Sequence, residues 1–142
     1  MSDIWVLVAD SSEARIYAAR HVSSPLTLVE TLTHAVGRAH PRDLGSDAPG
    51  RVHDRMGAAR HSIDAGQQMK IEERSRFARE IAERLEHAQR QKKFGRLFVM
   101  AAPAFLGVLR ESFGKALTAA VVAEIPKDLV GHDVAAIQAH LP

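Results

Sequence analysis

The chain has 142 residues, 46% hydrophobic and 25% charged, which is the composition of a globular domain long enough to bury a sizeable core. Nineteen Lys and Arg stand against 17 Asp and Glu, a formal net charge of +2, so any attraction for phosphate has to be local. Cysteine is absent, which excludes disulfides, thiolate metal sites and cysteine nucleophiles.

The N-terminus carries an acid, Asp3, where a secretory signal needs cations, and the apolar run behind it stops at Ala9. Six apolar residues suit neither a signal core nor a membrane span, so a cytoplasmic protein with no membrane insertion is expected. The same run, Ile4–Ala9, is β-rich and continuous, the pattern of a central strand buried on both faces. A polar turn at Asp10-Ser-Ser leads into a hairpin partner over residues 14–20. Pro25 precedes a third strand over 26–33, polar enough for a sheet edge.

Residues 38–67 hold five Arg, four Asp, three His, four Gly and two Pro, with few apolar side chains. That composition predicts a long, poorly ordered loop, because too little surface is buried to offset the entropy of fixing the backbone. A helix is expected from Met69 to Lys93. Its inner stripe is Ile71, Phe77, Ala78, Ile81, Ala82, Leu85 and Ala88, and Glu80–Arg84 and Glu86–Arg90 are spaced for ion pairs on its outer face. Lys92 and Lys93 suit its last turn and Gly95 its end.

A second buried strand follows at 97–102, then a short helix opened by Pro103 with Leu106, Leu109 and Phe113 inward. Residues 119–125 read as a fifth strand. Asp133 caps a last helix with Val134, Ile137 and Leu141 turned to the core. Two hairpins followed by two helical crossovers give a ribonuclease H-like mixed five-stranded sheet, order 3-2-1-4-5, with strand 2 antiparallel. The 38–67 segment, Asp10, Ala102-Pro103 and Lys127-Asp128 then share one rim of the sheet, the edge where open α/β sheets bind ligands.

Four separated blocks carry a family resemblance: Trp5-Val-Leu-Val-Ala-Asp10 with Ala14-Arg-Ile-Tyr17, Glu72-Glu-Arg-Ser-Arg-Phe-Ala-Arg-Glu80, Val99-Met-Ala-Ala-Pro-Ala-Phe-Leu-Gly-Val-Leu-Arg110, and Glu124-Ile-Pro-Lys-Asp-Leu129. Together they resemble the bacterial family described as proteins required for attachment to host cells. That family in turn resembles the middle domain of archaeal and eukaryotic peptide-chain release factors, whose Gly-Gly-Gln loop lies between the third strand and a helix. Here Ala65-Gly66-Gln67 occupies the corresponding place, with Ala65 where the first glycine stands. The resemblance implies a single release-factor-like domain and contact with the ribosome, RNA or a protein partner.

The residues themselves narrow the chemistry. Two-metal nuclease action needs converging carboxylates; Asp10 has the right place, but the fourth strand ends Met100-Ala-Ala-Pro103 without an acid, so Asp10 reads as a turn residue. His40, His53 and His61 are spaced unlike zinc ligands, and Ser11-Ser12 lies in no nucleophile elbow. No cofactor, metal or catalytic residue is expected. The candidates for RNA or partner binding are Arg51, Arg55, Arg60, His61, Gly66, Gln67, Lys70 and Arg74, and those on the sheet rim are Asp10, Pro103, Gly107 and Arg110. Arginines without interleaved aromatic residues suit phosphate rather than bases. The leading expectation is a non-enzymatic binding module. The alternatives are a hydrolase of peptidyl or ester bonds using Gln67 or the rim, and an exported adhesion factor.

Overall fold

Ile4–Ala9 form β1, and every residue of it is buried. The computed structural model describes residues 3–34 and 55–142, and for residues 55–65 and 67 the backbone alone. β2 (Glu13–Ala19) pairs antiparallel with β1, and β3 (Thr27–Thr33) pairs antiparallel with β2. β4 (Arg96–Ala101) and β5 (Val121–Ile125) are added in parallel on the other side of β1. The order is β3-β2-β1-β4-β5, the arrangement that two hairpins followed by two helical crossovers dictate.

Both outer strands carry a register shift. β3 skips Val29 between its pairings with Ile16 and Tyr17, and β5 skips Val122 between its pairings with Leu97 and Phe98. Both valines are exposed. A bulge at an edge twists the strand and interrupts its pairing surface, which discourages edge-to-edge aggregation.

Alternation along the strands splits the core in two. Trp5, Leu7, Ala9, Ile16, Leu97 and Val99 face one layer of helices, while Ile4, Val6, Val8, Tyr17, Phe98 and Met100 face the C-terminal segment through Leu129, Val130 and Ile137. The first layer is built by α1 (Arg55–Arg90), α2 (Pro103–Ser112) and α3 (Lys115–Ala120). The second contains α4 (Val134–Ala139), whose N-cap Asp133 accepts a 2.8 Å hydrogen bond from the Ala136 amide.

Several expectations are corrected here. α1 begins at Arg55, so residues 55–67 are helix and not the second half of a long loop. Residues 38–54 lie outside the described part of the chain. Extending a helix needs no new nucleus once one part is anchored, and Ala58, Ala59 and Ala65 are residues that favour its propagation. α1 ends at Arg90 in a Schellman turn: the Lys93 amide donates to Ala88 and the Lys92 amide to Gln89. Lys92 takes the left-handed φ of 60° that a glycine usually occupies, and Gly95 instead donates its amide to the Asp3 carbonyl. Residues 115–120 form α3, so β5 starts at Val121 rather than 119. Ile71 and Val134, expected to face inward, are exposed. The expected pairs along α1 are replaced by tertiary ones. Arg84 binds Glu30 of β3, and Glu86 accepts the Gly114 amide at 2.8 Å.

Candidate functional site

Ala9 aligns with Ala101 across the parallel β1–β4 pair, and Met100 with Ile125 across β4–β5. Asp10, Ala102-Pro103 and Pro126-Lys127 therefore leave the sheet at one rim. The third strand ends there too, since Thr33 pairs with Glu13 and the His34 amide donates to the Ser12 carbonyl at 2.9 Å. Aromatic rings tie this rim to the helices. Phe77 of α1 stacks with His34 at 5.3 Å between ring centroids and with Phe105 of α2 at 6.2 Å.

Asp10 is consumed by the turn it starts. Its Oδ1 accepts from the Ser12 amide at 2.8 Å, the Glu13 amide at 2.7 Å and the Ser12 hydroxyl at 3.1 Å. That is the geometry of an Asx turn, and it assigns Asp10 a structural task. Pro103 opens α2 at its first turn, where a missing N–H costs nothing. Gly107 sits mid-helix, and no described neighbour lies within 4 Å of where a Cβ would stand. Arg110 is held by Glu124 across α2 and β5, and that carboxylate keeps the guanidinium protonated above its ordinary range. Of the four rim candidates, the structure brings Asp10 and Pro103 to the rim and directs Arg110 into an ion pair.

The binding candidates fall along one element. Arg55, Arg60, His61, Gly66, Gln67, Lys70 and Arg74 all lie on α1, while Arg51 lies outside the described residues. Gln67 therefore sits on helical backbone and not at a loop tip. The helix is 36 residues long, roughly 54 Å at ~1.5 Å per residue, against roughly 20 Å for a six-residue strand. Among the described residues of α1 the first buried one is Phe77, and none between Gly66 and Arg76 is buried. Lys70 is exposed, as are Met69 and Ile71. Between Arg51 and Arg79 the sequence has seven Lys and Arg against four Asp and Glu, an excess of three (7 − 4) in a chain whose total is +2.

Two buried polar atoms, His34 Nε2 and Arg74 Nε, have no hydrogen-bond partner among the described residues. Each such atom costs about 1–3 kcal/mol relative to a bonded one. Sequence reasoning passed over His34, whose burial depends on the ring of Phe77 and is invisible to local pattern. Among the described residues no group of three or more His, Cys, Asp or Glu converges as a metal site, and no helix is long and apolar enough to cross a membrane.

The fold thus defines an α/β protein with a mixed sheet, and the cationic candidates Arg55, Arg60, Lys70 and Arg74 lie on its longest described helix. A family model described as "Protein required for attachment to host cells" matches residues 5–141, and the chain belongs to that family. A comparison with curated proteins yields no match.

Proposed function

We propose that this member of the host-attachment family is a non-enzymatic, cytoplasmic binding module that grips RNA, on its own or within the ribosome, through phosphate. The grip is formed by the N-terminal half of α1 and the arginines just before it. Two observations support the reading: the sequence from Arg51 to Arg79 carries an excess of three cations, and no described residue of α1 between Gly66 and Arg76 is buried. A solvated helix face with spaced Arg and Lys neutralises phosphates and releases counterions, and it needs no aromatic platform to do so. The sheet order and the place of the cationic segment between β3 and β4 support the ribonuclease H-like, release-factor-like reading of a single domain. Hydrolysis through Gln67 finds no support, because a helix interior already commits its backbone amides to intrahelical hydrogen bonds.

Crosslinking in cells followed by sequencing of the bound RNA tests this directly. The wild-type protein is expected to recover RNA, with a marked loss when Arg51, Arg55 and Arg60 are together changed to Ala. Equal recovery by both proteins would refute the proposal.

A further inference from the structure

A groove of about 700 Å³ runs down from the rim between β3 and α1, lined by Leu32, Glu80, Glu83, Arg84, His87 and Arg90. Its shape follows from the topology. β3 is the last strand on its side, with β2 as its single neighbour in the sheet, so its outer backbone edge has no strand partner among the described residues. α1 descends alongside it, since Phe77 meets His34 just past the end of β3 and Arg84 reaches Glu30 at its middle. Glu80 and Glu83 therefore flank the end of β3, and His87 and Arg90 its beginning.

These four groups share a second property. Glu83 and His87, or Glu86 and Arg90, stand at the spacing for pairs along a helix, yet Glu80, Glu83, His87 and Arg90 make no ion pair or side-chain hydrogen bond among the described residues. Arg84 is turned aside to Glu30, and Glu86 to Gly114. The groove thus carries unpaired negative charge at one end and unpaired positive charge at the other. Ten residues of helix separate Glu80 from Arg90, roughly 15 Å. In an extended peptide, side chains on one face recur every ~6.7 Å, so residues four apart stand roughly 13 Å apart.

We propose that this groove docks an extended peptide segment of a partner protein. The segment adds to the outer edge of β3, which has no strand partner among the described residues, and sets a basic residue against Glu80 and Glu83. Four positions away, it sets an acidic residue against His87 and Arg90. An apolar residue between them rests on Leu32 and the aliphatic stem of Arg84. The regular stretch Glu30–Thr33, beyond the shift at Val29, offers the backbone pairing. A second copy of this chain fits poorly, because β3 itself, Thr27-Leu-Val-Glu-Thr-Leu-Thr33, carries one charge and cannot complement both ends. RNA fits poorly as well, since Glu80 and Glu83 repel phosphate. The inference is independent of RNA binding by α1.

Fluorescence anisotropy with two labelled peptides tests it, one with the core Lys-Thr-Val-Thr-Glu and one with the reverse order, against controls with Lys or Glu at both ends. Edge pairing fixes strand direction, so one of the two orders is expected to bind about tenfold more tightly than the other and than the controls. N-methylation of alternate peptide amides should abolish that binding. The variant combining E80K, E83K and R90E should invert the preference between the two orders, with R90E alone narrowing it. Urea midpoints near the wild-type value would show both variants folded, and Arg51, Arg55 and Arg60 changed to Ala should leave peptide affinity unaltered. Binding of neither order, equal binding of both, or tolerance of N-methylation would each overturn the proposal.

Discussion

Replacing Phe77 with Ala removes the side chain on which the two ends of this fold meet. Phe77 is fully buried in the cluster shared by β1, β4, α1 and α2, and it stacks with His34 and with Phe105. Truncating a buried Phe costs about 3–5 kcal/mol through lost transfer energy and the cavity left behind. Two ring partners place this site in the upper half of that range. A loss of about 4 kcal/mol is a large part of the ~5–15 kcal/mol typical of a domain. With an m-value of ~2 kcal/mol per molar urea, the midpoint should fall by about 2 M. The informative control is Ile71→Ala, six residues earlier on the same helix. A helical stripe drawn on the sequence treats Ile71 and Phe77 alike, yet Ile71 is 50% exposed and Phe77 0%. Its replacement should cost less than ~0.5 kcal/mol. Comparable losses at the two positions, or a loss below ~1 kcal/mol at Phe77, would refute the claim that Phe77 anchors α1 and Ile71 does not.

Lys92→Gly should stabilise the protein by about 1 kcal/mol, read from urea midpoints, because a β-carbon at φ 60° is strained and glycine there is not. Asp10→Ala should cost about 1–2 kcal/mol through the three donors left without their acceptor, and Asp10→Asn should recover most of it, since one amide oxygen accepts the same bonds. Gly114→Ala brings a β-carbon within 2.7 Å of Glu86 Oε2 and should release that side chain from the Gly114 amide, at about 1 kcal/mol by thermal unfolding.

The strands were legible because their signal is local. An unbroken run such as Ile4–Ala9 or Leu97–Ala101 admits one place, the middle of a sheet covered on both faces, and the crossover rule then fixes the order. Asp10 and Asp133 were legible for the same reason, since each bonds an amide two or three residues away. What failed depends on distant partners or on continuity. The start of α1 at Arg55 escapes the sequence pattern because residues 55–67 hold Arg, Asp and two Gly, while a helix anchored by Phe77, Ile81 and Leu85 extends without a new nucleus. Residue type points to Gly95 for the helix end, whereas the chain turns at Lys92, whose amide and that of Lys93 return to Gln89 and Ala88. Arg84 and Glu86 left their helical neighbours for Glu30 and Gly114, each a contact between elements that spacing cannot foresee. Of the candidate binding residues, the sequence displays the cations but not the helix on which Arg55, Arg60, Lys70 and Arg74 lie.

The salt dependence of RNA affinity tests the central claim most directly. Each phosphate contact to single-stranded RNA contributes a slope of about −0.7 to log K against log salt. If Arg51, Arg55 and Arg60 each neutralise a phosphate, changing all three to Ala should flatten the slope by about 2. The wild-type advantage at 50 mM salt should then shrink by roughly 20-fold at 200 mM. Parallel slopes for the two proteins, or an affinity that salt leaves unchanged, would contradict a phosphate grip by this helix.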